Sequence, residues 1–341
     1  MRGAPVTVKM NLFQFHVPPD RILREIVVRS IFFLPAETRR RIERLHRGWE
    51  EYRRLRRADA VVVSYGKSGR TWLRMLLSRW FQLRYGLPPH AMLGFDNFHR
   101  ADPRIPKIFF THDNYLRDWT GHRDDRRDFY DRRTVLLVRD PRDVAVSQFF
   151  QWKYRMRAAK KRLNRYPLEE VDLYDFVTGP AGLPRIVDFL NAWARELPRI
   201  RELLVVRYED MRADTARELR RILEFLGERP TDAELADCVT FASVENMRRL
   251  EERRVFRLAG TRLVPGQRGN PDSYKVRRAK VGGWRDYFDD AQIRAIDAYV
   301  RERLDPVFGY VAAGVPAAGR AVRPEGEAAV VATDPSGGDV R

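Results

Sequence analysis

A chain of 341 residues with a 44% hydrophobic fraction suits one large α/β domain or two small ones and has the apolar content for a real core. Its 65 Lys and Arg against 47 Asp and Glu leave a formal net charge of +18, which favours an anionic partner (a multiply charged nucleotide, a nucleic acid or an anionic membrane) without choosing among them. The single cysteine excludes an internal disulfide and fits a reducing compartment, and no stretch approaches the roughly 18 apolar residues that span a bilayer.

Residues 1–57 read as a basic, mostly helical N-terminal extension. Ile22 to Leu34 is apolar but interrupted by Arg24, Glu25 and Arg29. It suits an amphipathic helix, either packed on its own domain, the favoured reading, or lying on an anionic membrane surface. Arg39, Arg40, Arg41, Arg44, Arg47 and Arg53 to Arg57 alternate with Leu45, Trp49, Tyr52 and Leu55. Such a charge run on a helix is ordinarily a solvated face. With no secretory signal in the N-terminal residues, a cytoplasmic protein, peripheral to the membrane if that helix binds it, is expected.

From Ala58 the pattern changes. Short apolar or β-branched runs at Val61–Val63, Lys107–His112, Thr134–Val138 and Leu203–Arg207 alternate with helical periodicities. That alternation predicts an α/β fold with a central parallel β-sheet flanked by helices on both faces. Arg217 to Leu226 reads as an amphipathic helix stopped by Gly227. Cys238, among apolar helical neighbours, reads as a buried small hydrophobe. Residues 253–276 read as a long loop and residues 312–341 as a disordered tail.

The most informative stretch is Val61-Val62-Val63-Ser64-Tyr65-Gly66-Lys67-Ser68-Gly69-Arg70-Thr71-Trp72. Strand, glycine-punctuated turn and helix point backbone N–H groups and a helix N-terminus at an anion, and Lys67 and Arg70 add formal charge. The first glycine of the standard nucleotide-binding pattern is missing, with Val61 in its place, so the loop is P-loop-like but shorter. A second strand-turn-helix unit, Thr134 to Ser147, puts Arg139 at a strand's carboxyl end, where open α/β sheets bind ligands, and Ser147 one helical turn after Asp143. Pro141 is expected to end that strand and Asp143 to cap the following helix. Of six histidines, only His112 sits at the carboxyl end of an expected core strand. Its near-neutral pKa suits a general base. Asp113 follows it directly, but adjacent side chains on a strand point apart, so it is not expected to orient His112. No cysteine pair or His-x-x-x-His suggests a metal site.

These segments resemble the sulfotransferases that use 3′-phosphoadenosine 5′-phosphosulfate (PAPS). Tyr65 to Trp72 is similar to that family's 5′-phosphosulfate loop, Y-P-K-S-G-T-T-W. Arg139 and Ser147 match its 3′-phosphate segment, and Arg207-Tyr208-Glu209-Asp210 its Y-E-D segment. Arg277-Arg278-Ala279-Lys280-Val281-Gly282-Gly283-Trp284 is similar to R-K-G-x-x-G-x-W. The match runs in order over roughly residues 58 to 310 and implies a single sulfotransferase domain, residues 58–311. It implies His112 as catalytic base and Lys67 as the cation on the leaving phosphate. Lys67, Ser68, Gly69, Arg70, Thr71, Trp72, Arg139, Ser147, Tyr208, Arg277, Arg278 and Ala279 would hold PAPS and its product, adenosine 3′,5′-bisphosphate (PAP), without a metal. Trp72 would stack on the adenine and Tyr208 hydrogen-bond its edge.

There are departures. Gly66 replaces proline, Arg70 a small residue and Ala279 glycine, which would be strained if φ is positive there. Phe110 stands where many members have a lysine, and Val244 near where relatives place an aromatic ring. The acceptor is expected to be a hydroxyl on a glycan, glycolipid or other large compound. By position relative to the strand ends and by the resemblance, Met92–Arg104, Gln151–Tyr166 and Arg253–Tyr274 would border its pocket, and their mixture of aromatics and cations suggests a large acceptor. A basic nucleic-acid-binding protein, and more weakly a nucleotide-dependent kinase, remain as alternatives. Oligomeric state is not legible.

Overall fold

The computed structural model describes residues 19–256, 263–267 and 269–311. The tail at 312–341 and part of the long loop at 253–276 therefore lie outside the described residues. In chain order the elements begin with α1 (Pro19–Ser30), α2 (Ala36–Arg57), β1 (Ala60–Ser64), α3 (Arg70–Tyr85), α4 (Asn97–Ala101), β2 (Ile108–Thr111) and α5 (Leu116–Thr120). Next come β3 (Thr134–Val138), α6 (Pro141–Arg155), α7 (Ala158–Leu163), α8 (Leu173–Thr178), α9 (Leu183–Ala194), β4 (Leu203–Arg207) and α10 (Tyr208–Ala213). The chain closes with α11 (Thr215–Phe225), α12 (Asp232–Phe241), α13 (Val244–Glu252) and α14 (Asp290–Arg303).

The four strands form one parallel sheet in the order β2-β1-β3-β4. Their β-branched and leucine runs suit strands buried on both faces. Alternation along each strand divides the core in two. Val61, Val63, Leu136 and Val138 join the cluster that contains Val144 and Phe149 of α6 and Leu190 of α9. Val62, Val135, Leu137 and Val206 join the cluster that contains Leu76 and Trp80 of α3 and Leu219 and Ile222 of α11. Helices therefore cover both faces, as the sequence predicts. Cys238 is fully buried in the second cluster, and burial pushes its thiol up to about 12.

Strand order positions the site. The first crossover runs from β1 to β2 on one side, and β3 then pairs on the other side of β1. The crevice at the carboxyl ends of β1 and β3 is thus the point where open α/β sheets bind ligands. Lys67 follows β1 and Arg139 follows β3.

Two local expectations are corrected. Asp140, not Asp143, caps α6: its side chain accepts from the Arg142 N–H, and Pro141 is the first helical residue rather than the strand's end. Proline fits there because its missing N–H would have no helical partner. The basic α2 is also not solvated all round. It packs along α5, and Gly48 makes the approach possible, since a Cβ there would lie 2.4 Å from the Tyr115 carbonyl oxygen. α1 packs on α2 through a buried Arg24–Glu50 ion pair at 2.7 and 2.8 Å.

Candidate active site

The loop after β1 is built for close approach. Lys67 has φ 72° and Gly69 φ 97°, so the chain coils through the left-handed region twice before α3 begins. No side chain caps α3, which leaves its first N–H groups facing the crevice. The Gly69 Cα has no room for a side chain, because a Cβ would stand 2.6 Å from the Tyr208 ring.

A cavity of about 1370 Å³ opens over these strand ends. That exceeds the roughly 300–1,000 Å³ of a single small-molecule pocket and leaves room for two reactants. Lys67, Gly69, Arg70, Thr71, Trp72, His112, Arg139, Ser147, Tyr208, Arg277, Arg278 and Ala279 all line it. Ser68 is buried under the loop at 2% exposure and is not on the wall.

Arg139 is held rigidly. Its guanidinium donates to the Lys67 and Lys280 carbonyls, at 3.2 and 3.4 Å, and lies 4.2 Å over the Tyr208 ring. Its Nε is buried without a hydrogen-bond partner. Arg277 lies 3.8 Å over Phe150 and hydrogen-bonds the Tyr287 hydroxyl. Arg278 is more exposed and is paired with Asp286. Ala279 has φ 54°, the strained conformation foreseen for an alanine in that glycine position. Trp72 donates its indole N–H to the Ala242 carbonyl at 3.0 Å and meets Tyr208 edge-on. Val244 lies on the same wall.

His112 follows β2, and the Ser64 carbonyl of β1 lies 2.7 Å from its Nδ1. A carbonyl only accepts, so Nδ1 donates, and the neutral ring leaves Nε2 as its lone-pair nitrogen. Burial, reinforced by Arg70, holds the imidazole well below its ordinary pKa, hence neutral. Burial, then Arg155 and Arg139, pull the Lys67 ammonium down to about 7. Asp113 does not reach His112. The chain turns at φ 50°, and its carboxylate meets Arg126 Nε at 2.9 Å.

Three carboxylates brace the site: Glu51 and Glu251, which sequence reasoning missed, and Asp143, which it took for a helix cap. Asp143 accepts from Gly282 and Trp284 N–H at 2.9 and 3.0 Å, tying the Arg277–Trp284 segment to α6. Glu251, fully buried, accepts from Lys275 and Val276 N–H at 2.8 and 3.1 Å. Glu51 of α2 accepts from Tyr115 and Leu116 N–H at 3.2 and 3.0 Å, and burial raises it to about 7. None had a motif to mark it. Each is visible only as a backbone-clamping carboxylate in the folded chain.

The outer cavity differs from expectation. Gln151, Lys160, Asn164 and Tyr166 line it, but no residue of Met92–Arg104 does. Phe98, Trp152 and Phe256 are core residues at 3%, 2% and 1% exposure. The wall comes instead from α2 (Arg40, Arg41, Arg44) and from Arg123, Arg185 and Arg195. Among the described residues, no group of three or more His, Cys, Asp or Glu is placed to hold a metal ion.

A family model described as the sulfotransferase domain matches residues 129–308. The chain belongs to the PAPS-dependent sulfotransferase family. The matched span holds β3, β4 and the Arg277–Trp284 segment, while the β1 loop and His112 lie N-terminal to it. Among its relatives, cytosolic sulfotransferase 13 of Arabidopsis thaliana is 26% identical over 268 residues, covering 73% of this chain and 78% of the relative. Human sulfotransferase 2A1 is 23% identical over 264 residues, covering 73% and 85%. The solved structure of mouse sulfotransferase SULT7A1 complexed with PAP aligns at a TM-score of 0.49 and 21% identity, covering 74% of this chain and 86% of that one. By its family membership this sulfotransferase is a transferase with PAPS as co-substrate and PAP as product. Membership replaces the nucleic-acid-binding and kinase alternatives.

The donor set fits that nucleotide. Its charge demands clustered cations and uncapped N–H groups, and the crevice provides Lys67, Arg70, Arg139, Arg277 and the α3 N-terminus.

Proposed function

We propose that this sulfotransferase holds PAPS across the carboxyl ends of β1 and β3 and transfers its sulfuryl group in line to an acceptor hydroxyl at His112. The observation that carries the reading is the meeting, in one cavity, of Lys67 after β1, His112 after β2 and Arg139 after β3. When bound, PAPS supplies an activated sulfuryl group and a phosphate leaving group. Lys67 neutralises charge on the departing phosphate, and the N–H groups of Gly69 to Trp72, with the Thr71 hydroxyl, fix the 5′ end. Arg139 and Ser147, with Arg277 and Arg278, hold the 3′-phosphate, Arg278 exchanging its Asp286 partner for phosphate. Trp72 flanks the adenine, and Tyr208 hydrogen-bonds its edge. His112 Nε2 takes the acceptor's proton.

The acceptor in this reading is large and anionic or membrane-borne. Arg40, Arg41, Arg44, Arg123, Arg185 and Arg195 outnumber Glu37, Asp118, Asp124 and Asp188 on the outer wall, with Arg40 paired to Glu37 and Arg44 to Asp118, so the wall is charged with a cationic surplus, whereas a pocket for a small neutral phenol would be mostly apolar. At the α1–α2 corner, next to that wall, Phe32 and Phe33 are 75% and 71% exposed. Leu23 and Ile26 are exposed on α1, among the exposed Arg29, Arg39 and Arg41. Exposed aromatic and aliphatic side chains among cations that outnumber the exposed Glu25 and Glu37 suit an anionic bilayer, which would bring the cavity mouth to the lipid headgroups. No described helix is long and apolar enough to cross the membrane.

The test measures sulfation of simple phenols, anionic glycans and glycolipids in phosphatidylserine or phosphatidylcholine vesicles, at low and high salt. Salt-sensitive sulfation of a large acceptor is expected, together with phosphatidylserine binding lost in Phe32→Ser/Phe33→Ser. Efficient, salt-insensitive sulfation of phenols alone would overturn the acceptor assignment.

A further inference from the structure

We propose that Lys275 is a second catalytic cation, its ammonium contacting the sulfuryl oxygens while Lys67 serves the leaving phosphate. The inference rests on the PAPS site above and adds a residue that no motif match assigns.

Lys275 precedes the Arg277–Trp284 segment and lines the cavity with Lys67, Arg70 and His112. Its backbone is clamped. Glu251 takes the N–H groups of both Lys275 and Val276, at 2.8 and 3.1 Å. Arg155 anchors the same loop by donating to the Ser273 and Val264 carbonyls. The side chain is thus launched into the cavity from a fixed point, the condition for a preorganised electrostatic contact.

Its surroundings lack an anion. Arg155, Lys67 and Arg70 all oppose its charge, and the one carboxylate nearby is Glu251. That carboxylate already serves two N–H groups and Arg155, 3.5 Å away. Among the described residues, Lys275 forms no ion pair of its own. Burial first, then Arg155 and Lys67, hold its ammonium well below the ordinary lysine pKa. Such crowding of like charge persists where an anionic ligand completes the site.

The position suits the transferring group. Lys275 shares one cavity wall with Lys67, on the donor side, and with His112, on the acceptor side. The sulfur must lie between those two poles. β2 offers no alternative cation, since the residue two before His112 is Phe110, whose ring is covered by Arg74 at 3.7 Å. In the step, the acceptor oxygen bonds to sulfur as its proton passes to His112. The bond from sulfur to the phosphate oxygen breaks, and its electron pair stays with PAP. Lys275 donates hydrogen bonds throughout and neither gains nor loses a proton.

The test compares wild type with Lys275→Met and Lys275→Arg, measuring kcat, KM for PAPS and PAP affinity. PAP lacks the sulfuryl group, so a sulfuryl contact predicts a split. The Met variant should lose about 10²–10³-fold in kcat, as for loss of one preorganised donor, with PAP affinity changed less than about threefold. The Arg variant should recover about tenfold or more of that loss. Lys275→Gln gives the same comparison if the Met variant melts early. A Met or Gln variant with kcat within threefold of wild type, or one losing PAP affinity in step with turnover, overturns the assignment. Lys67→Met separates the failures: if it too keeps full turnover, the PAPS site itself is misread.

Discussion

At the residue scale, charge and backbone conformation explain the site better than side-chain identity alone. Lys67 sits near a pKa of 7 without ligand, so its ammonium is largely charged at pH 6 and largely neutral at pH 8. An anionic nucleotide favours the charged form, so binding at pH 8 should take up a proton that binding at pH 6 does not. Calorimetry of PAP binding in buffers of different ionisation enthalpy measures this, and Lys67→Met should reduce the excess uptake at pH 8. Equal uptake in both proteins would contradict it. Ala279 makes a simpler case. Alanine at φ 54° costs about 1 kcal/mol relative to a conformation it prefers. After allowance for the freer unfolded chain, Ala279→Gly should stabilise by about 0.5 kcal/mol. A lower melting temperature for the variant would refute the strain. The strain was legible because the matching motif carries glycine there. Asp143 was misread, because an Asp two residues after Pro141 looks like a cap until the distant Gly282 and Trp284 N–H groups reach it.

At the element scale, the strands were legible and one helix was not. Strands β1 to β4 are short and apolar, and the complete burial of β1 and β3 leaves little ambiguity in such runs. Helix α2 carries arginines at nearly every turn, and that pattern looks the same whether the face meets water, α5 or a cavity. Gly48 and Glu51 decide the matter, but only through contacts with residues more than sixty positions away. Glu51 also sets a pH dependence. Its carboxyl titrates near 7 in the folded chain, against an ordinary value of 4.5, because burial and then Asp113 oppose its charge. The native state therefore holds a proton that the unfolded state has released between those values. Its contribution is full below about 4.5 and is lost as pH rises through about 7. Glutamine keeps an acceptor for the Tyr115 and Leu116 N–H groups and has no proton to lose. Melting temperatures at pH 5 and pH 8 should show Glu51→Gln gaining on wild type as pH rises. A constant difference would contradict the shift.

At the scale of the whole molecule, strand order and net charge act together. The reversal between β1 and β3 makes the crevice, and the surplus of cations fills it and its rim. Net charge alone could not separate nucleotide, nucleic acid and membrane, since each is anionic. The ordered motifs did so for the nucleotide. The outer wall stayed illegible because it is assembled from α2, α9 and the loops beside them, segments with no common sequence signature.

The most direct test is transfer of radiolabelled sulfate from PAPS by wild type and His112→Ala, with PAP binding measured on both. Wild type should label a hydroxyl-bearing acceptor, while His112→Ala loses about 10²–10⁴-fold in turnover and binds PAP within a few-fold of wild type. Turnover by His112→Ala at the wild-type rate, or a wild type that neither binds PAP nor passes sulfate to any hydroxyl, would contradict the account.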